Sequence, residues 1–284
     1  MNWLDEGALY SSIGLFLRED LGRGDITTQG VLMRNARAKG RFVAREKMVV
    51  AGVEAAEEVF VSLDPQLQLE AFTADGEEVD AGKVIARTSG FADVLLGGEL
   101  VALNLLRHLS GIATTTRAFV RAVDGTSARI ADTRETTPGL RMLEKYGVLL
   151  GGGLNSRYGL DDGVLITRNH AAIAGGLSAA IENAVQKVSH IHRVAAEVSG
   201  NPEIKAAIEA GATALVLRDV AVDEVKAQID YARELRESVS IEISGDVTLD
   251  NVRQYAEAGA HIIAVAALTQ SVRAMDVSFQ IQLG

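Results

Sequence analysis

Arg134, Arg157 and Glu197 are the residues on which chemistry is most readily built. Arg134 follows an apolar strand candidate, and Arg157 follows the glycine triplet Gly151-Gly152-Gly153. A guanidinium presents a planar fork of N–H donors that matches carboxylate and phosphate oxygens. Two such groups after strand-end or glycine-rich segments suit an anionic substrate. The plain alternative for each is a salt bridge with one of the 38 acidic residues. The glycine triplet lets backbone approach a ligand, or simply turns the chain. Glu197 ends an apolar strand candidate, with a helix cap or an ion pair as its plain alternative. Arg168, His170 and Asp219 also follow strand candidates. Thr136-Thr137-Pro138-Gly139 reads as the start of a helix, with Thr137 as cap and Pro138 in the first turn. Thr136 is then also within reach of an anion. Ser244-Gly245 and residues 264–267 place small side chains at strand ends, where backbone N–H groups stay open to an anion or form a tight turn. His108, His190, His192 and His261 have no spacing that demands a metal.

These residues need elements to hold them. Leu4, Leu9, Ile13, Phe16 and Leu17 recur at helical spacing and predict a helix over 1–20. Segments 38–51, 67–73 and 83–88 read as strands, with a helix from about Val53 to Ser62. A long helix begins at Gly97 and breaks near Gly111, and a further helical stretch runs to Val123. The second half alternates. Strands are expected at Ala128–Ala131, Val164–Ile166, Arg193–Val198, Ala214–Leu217, Ser240–Ser244 and Ile262–Ala266. Helices are expected at Gly139–Gly147, Ala171–Val188, Pro202–Ala210, Val222–Ser238 and Leu249–Ala258. Such alternation implies parallel sheet. Six repeats can close into a β/α barrel with units missing, whose chemistry belongs at the C-terminal ends of the strands. An open doubly wound sheet is the alternative. No GxGxxG follows a strand, which weighs against dinucleotide binding.

The 284 residues are 48% hydrophobic, enough for one large or two modest domains. Cysteine is absent, which excludes disulfides and thiolate metal sites and fits a cytoplasmic protein. The acidic N-terminal stretch does not read as a secretory signal. No apolar run reaches the ~20 residues of a membrane helix. A net charge of -10 argues against a nucleic-acid partner and requires any polyanionic substrate to find a local basic pocket.

The segment Asp132-Thr133-Arg134-Glu135-Thr136-Thr137-Pro138-Gly139-Leu140-Arg141, followed by Gly151-Gly152-Gly153-Leu154-Asn155-Ser156-Arg157, resembles the active-site signature of the quinolinate phosphoribosyltransferases, the carboxylating nicotinate-nucleotide pyrophosphorylases. That signature reads DTRKTTPGLR, then GGG-x-NHR, then LIKDNH. The resemblance extends to Asp20–Thr28, to Ala44-Arg45-Glu46 with Ala51-Gly52, to Leu103-Asn104, to Leu109–Thr114 and to Asp276-Val277-Ser278.

The resemblance implies an α/β protein: an N-terminal α+β open-faced sandwich, residues 1–112 rejoined by 272–284, and an incomplete parallel β/α barrel over 113–271. It implies transfer of the phosphoribosyl group of PRPP to quinolinate, a pyridine dicarboxylate, with release of pyrophosphate and CO2 and formation of nicotinate mononucleotide. It implies Mg2+, and a homodimer or larger homo-oligomer in which a neighbour completes each site. Arg134, Arg157 and Glu197 are then catalytic. Thr136, Arg168, His170, Asp219, Ser244 and Gly245 bind substrate, the last two at a 5′-phosphate, and Glu197 and Asp219 hold the metal. The chain departs from the pattern at specific places. Glu135, Thr167 and Leu100 stand for cations and Ser156 for a histidine. Arg218 stands for a strand-end aspartate, with Asp219 one place on. Asp246 and Ala266 stand for glycines. Arg107, Arg168 and Arg218 are the cations available to rebuild the clamp.

Overall fold

A computed structural model describes residues 5–33 and 35–283. The chain forms two compact units: one from residues up to Arg117, Thr136–Gly152 and the chain from Ser271 onward, the other from Ala118–Glu135 and Gly153–Gln270. The first unit opens with α1 (Glu6–Leu21), α2 (Ile26–Val31), β1 (Arg37–Ala44), β2 (Met48–Val49), α3 (Val53–Leu63), β3 (Leu69–Ala71), β4 (Glu78–Val79) and β5 (Val84–Phe91). After α4 (Ala92–Ala122) come β6 (Arg129–Ala131), α5 (Arg141–Leu150), β7 (Val164–Ile166), α6 (Arg168–Ala174) and α7 (Leu177–Lys187). The chain ends with β8 (Val194–Val198), α8 (Asn201–Glu209), β9 (Ala214–Arg218), α9 (Val222–Leu235), β10 (Ser240–Ser244), α10 (Val252–Glu257), β11 (Ile262–Ala264), α11 (Ala267–Gln270) and β12 (Val277–Leu283).

In the first unit, β1 is paired antiparallel to β12 and β5, giving the order β12-β1-β5-β3. Alternation along β1 buries Ala38 and Phe42 and exposes Arg37, Lys39 and Arg41. Phe42, Phe60 and Phe279 cluster on the covered side. One side of the sheet is therefore core and the other open, as an open-faced sandwich requires. Asp25 caps α2 by accepting the N–H groups of Thr27 and Thr28 (2.9 and 3.1 Å), which accounts locally for the Gly-Asp-Ile-Thr-Thr sequence.

The second unit carries six parallel strands in the order β6-β11-β10-β9-β8-β7. Leu154 adds a bridge outside β6, opposite Ala131. β7 does not pair with β6, so the β/α barrel is incomplete. Ile241 and Ile243 are buried while Glu242 and Ser244 are only half-buried, and this alternation of two turns the latter pair inward.

Several expectations need correction. The helix predicted to break at Gly111 is continuous through α4. Gly111 is small for another reason: a Cβ there would sit 2.3 Å from the Arg273 carbonyl oxygen. Gly111→Ala is expected to lower stability by roughly 1–3 kcal/mol, because backbone must move to admit the methyl group. The urea midpoint of the variant measures it. The helix expected over Ala171–Val188 is two helices, split where Gly175 and Gly176 take left-handed backbone (φ 87° and 123°). The strand expected over 38–51 is β1 and β2. Thr137 caps nothing: α5 begins at Arg141, after a turn closed by Leu140 N–H on Thr137 C=O (2.9 Å). The helix predicted over 1–20 appears as α1, with Leu4 outside the described residues. Among the described residues no helix is long and apolar enough to cross a membrane.

Candidate active site

The inward positions of the barrel strands enclose a cavity of about 600 Å³. Ala195 and Glu197 reach it from β8, Ala214, Val216 and Arg218 from β9, and Glu242 and Ser244 from β10. Small side chains low in the barrel leave the volume, and charged ones near the strand ends line it. Val216 is in register with both Glu197 and Glu242, so one layer presents two carboxylates flanking a valine. Arg218 and Ser244 form the next layer toward the C-terminal ends. Asp132, Thr133, Arg134 and Glu135 enter from beyond β6, and Ser156 and Arg157 from the loop after Leu154. A larger hollow, about 810 Å³, lies on the open sheet of the first unit around Lys39, Arg41 and Arg87. The smaller cavity is the candidate because it sits at barrel strand ends and holds charge in a partly dehydrated space.

Asp132 organises the loop. It is fully buried, and its Oδ1 accepts both the N–H and the Oγ–H of Ser156 (2.7 and 3.0 Å). Ser156 is thereby an anchor, which ties Arg157 in place one residue later. The Arg157 Nη1 donates to the Gly163 carbonyl (2.9 Å). Burial disfavours the charge on Arg157 most, and the neighbouring Arg134 guanidinium adds to this; Asp162, Glu242 and Glu197 oppose it. A cation held against burial and a second cation is an environment that an anion relieves. Asp132→Asn is expected to loosen this loop at a cost of about 1.5–3 kcal/mol, the worth of a charged hydrogen bond. A urea titration of the variant checks it.

Glu242 was not foreseen from the sequence. Burial raises its carboxyl to about 7, Asp132 adds to the rise, and Arg157 opposes it. The sequence signal was present in Ile241-Glu242-Ile243-Ser244: a charged residue alternating with isoleucines on a barrel strand must face the interior. Arg193 and Asp162, which also line the cavity, gave no such signal.

Of the residues singled out beforehand, Arg134, Arg157, Glu197 and Ser244 line this cavity, as do the departures Glu135, Ser156 and Arg218. The others sit elsewhere. The Thr136 hydroxyl accepts from Arg141 Nε (3.0 Å) in the first unit. His170 is exposed, and its Nδ1 closes a capping box on Thr167 at the start of α6. Thr167 is thus a helix cap where the signature has lysine. Arg168 contributes its backbone N–H to Glu197 Oε2 (3.1 Å), while its residue is exposed. Asp219 has left-handed backbone (φ 55°), and its N–H donates to the Ser244 carbonyl (3.0 Å). Gly245 lies against Asp219, leaving 2.6 Å between Asp219 Oδ1 and any added Cβ. The Asp246 carbonyl accepts from Asn251 Nδ2 (2.8 Å), and the Ala266 carbonyl accepts from Gln270 N–H at α11 (2.9 Å). Leu100 is half exposed in the first unit. Arg107 is spent on structure, donating from Nε and Nη2 to the Val277 carbonyl (2.8 and 2.6 Å). Gly151 also has a packing role, since a Cβ there would meet Thr116 Cβ at 2.4 Å.

Comparison with known proteins places this arrangement. The C-terminal domain of quinolinate phosphoribosyl transferase matches residues 112–280, and its N-terminal domain matches residues 25–110. The chain belongs to the quinolinate phosphoribosyl transferase family. Probable carboxylating nicotinate-nucleotide pyrophosphorylases of Synechocystis sp. and Bacillus subtilis are each 38% identical, over 94% of this chain and 90% and 91% of their own lengths. The nicotinate-nucleotide pyrophosphorylase structure from Francisella tularensis superposes with a TM-score of 0.92 at 32% identity, covering 98% of both chains. That from Ehrlichia chaffeensis gives 0.91 at 33% identity, covering 99% of this chain and all of the other. Within this quinolinate phosphoribosyl transferase fold, Glu135 and Arg218 both line the cavity.

Proposed function

We propose that this protein transfers the phosphoribosyl group of PRPP to quinolinate, giving nicotinate mononucleotide, pyrophosphate and CO2. The observation that carries the reading is the pair Arg134 and Arg157 in one cavity at the barrel strand ends, in a chain of this family. In the proposed reaction the pyridine nitrogen attacks C1 of the ribose as the bond to pyrophosphate breaks. Positive charge grows on the ribose ring and negative charge on the leaving group. Arg134 and Arg157 supply fixed donors to the phosphate and carboxylate oxygens, where preorganisation gives most. Glu197 lies in the same cavity and accepts from ribose hydroxyls. Ser244, at the end of β10, lies in reach of a 5′-phosphate. The bond from C2 to its carboxylate then breaks and releases CO2; the electron pair stays on C2, stabilised by the adjacent positive nitrogen, until a proton from water replaces the lost group.

The same proposal includes the substrate contacts of Thr136, Arg168, His170, Asp219 and Gly245, a homo-oligomer, a cytoplasmic setting and the domain boundaries given by the resemblance. Mg2+ is the cofactor that the resemblance implies. The carboxylates assigned to it, Glu197 and Asp219, do not fit it as they stand. Arg218 Nη1 is 3.3 Å from Glu197 Oε1, Arg218 Nε is 3.6 Å from Asp219 Oδ2, and Glu197 Oε2 accepts the Arg168 N–H.

The direct test is chromatographic detection of nicotinate mononucleotide after incubation of the purified protein with quinolinate and PRPP. Its formation above a protein-free control supports the reading, and its absence over a range of pH and ionic conditions removes it. A second reading is favoured by Glu135 and Glu242, which bring acid to the cavity. It replaces quinolinate with a less anionic aromatic nucleophile. Parallel incubations with nicotinate and with nicotinamide distinguish the two. A member that binds without turnover is the outcome in which PRPP binds and no product forms from any of them.

A further inference from the structure

We propose that the Arg218 guanidinium is the built-in cation of this site, standing between the two carboxylates that the family resemblance gives to a divalent metal, so that the phosphoribosyl donor is held without one. This rests on the phosphoribosyl-transfer reading above. In an ungapped alignment with the family pattern, Arg218 takes the place of the strand-end aspartate itself. The inward alternation of Ala214, Val216 and Arg218 on β9 then carries its side chain into the cavity. There it lies 3.3 Å from Glu197 Oε1 and 3.6 Å from Asp219 Oδ2. Asp219, one place after the replaced aspartate, is not among the residues lining the cavity and takes left-handed backbone (φ 55°).

The electrostatics follow. Glu197 has a side chain only 9% exposed, and that of Arg218 is 40% exposed. The carboxylate is thus held in the wall while the guanidinium keeps a face open to the cavity. An Arg side chain stays charged at any ordinary pH and donates to several oxygens at once, so it can keep Glu197 and still reach a phosphate. A Mg2+ ion typically takes one or two carboxylates together with substrate phosphates. To reach Glu197 here it must displace Arg218 and then sit beside a second cation. Among the described residues no group of three or more His, Cys, Asp or Glu side chains is arranged to hold a metal ion.

The test is calorimetric titration of the full chain with PRPP, in EDTA and in excess Mg2+, for the native protein and Arg218→Gln. The native affinities are expected to agree within about fivefold between the buffers, while R218Q weakens at least about tenfold in EDTA, the worth of one charged hydrogen bond. Native binding that requires Mg2+, or R218Q equal to native in EDTA, overturns the proposal. If PRPP binds the native protein in neither buffer, the phosphoribosyl-transfer reading fails. Mn2+ uptake without donor, followed by the paramagnetic resonance of the free ion, then decides the placement of Arg218 by itself. Uptake at least about tenfold tighter by R218Q than by the native protein supports it. Equal uptake, or uptake by neither, overturns it.

Discussion

Arg157→Ala is expected to lower kcat/KM for quinolinate and PRPP by about a thousandfold in a protein that still folds. Arg157 is the cavity cation whose charge is least comfortable, because burial and Arg134 both work against it. An incoming anion removes that discomfort, and a developing anion removes more of it. Loss of two charged hydrogen bonds at about 1.5–3 kcal/mol each corresponds to roughly a hundredfold to ten-thousandfold in rate. Arg157→Lys keeps a point charge and loses the fork, so it should fall between native and alanine. Steady-state kinetics of the three proteins measure the series, and a urea titration verifies that each folds. A decrease of less than about tenfold for the alanine variant contradicts a direct contact with the reactants, since even one charged hydrogen bond is worth more.

Glu242→Gln is expected to change the pH dependence of stability. The native carboxyl is raised from 4.5 to about 7, chiefly by burial. A raised acid favours the protonated form in the folded state. Below pH 4.5 the group is neutral in both folded and unfolded chains and has no effect. As pH rises from 4.5 toward about 7 the unfolded chain ionises first, and the native state loses stability progressively. Above that interval the loss levels off at up to roughly 3 kcal/mol, since each pKa unit is worth about 1.4 kcal/mol. Glutamine has no such loss. The variant should therefore resemble native protein at pH 4 and be the more stable at pH 8, as read from urea midpoints. It should also bind pyrophosphate more evenly across that range, because native protein acquires a repelling charge beside Arg157 as pH rises. Parallel stability curves for the two proteins would place Glu242 in water rather than in the cavity wall. Arg157→Ala should push Glu242 further up, since Arg157 is what restrains it.

The sequence was most informative where periodicity and chemistry agreed. The barrel strands were legible because apolar runs of three to six residues alternated with helical segments, and five of the six keep nearly the expected limits. Arg134 and Arg157 were legible because arginines at a strand end and after a glycine triplet have few common purposes. Other features depended on partners distant in the chain. Gly111 reads as a helix breaker until Arg273 is seen to lie against it. Arg107 reads as a spare cation until it donates to Val277. His170 and Thr167 match a signature segment, yet in this chain they cap each other at the start of α6. Glu242 was overlooked although its alternation with Ile241 and Ile243 carried the information. Arg218 was seen as a departure, and only its distances to Glu197 and Asp219 give that departure a meaning.

The most direct test of the central claim is release of labelled CO2 from quinolinate carrying its label in the 2-carboxylate. Phosphoribosyl transfer to quinolinate requires release that depends on PRPP and equals the pyrophosphate formed, mole for mole. Pyrophosphate without labelled CO2, or no release with PRPP present, contradicts it.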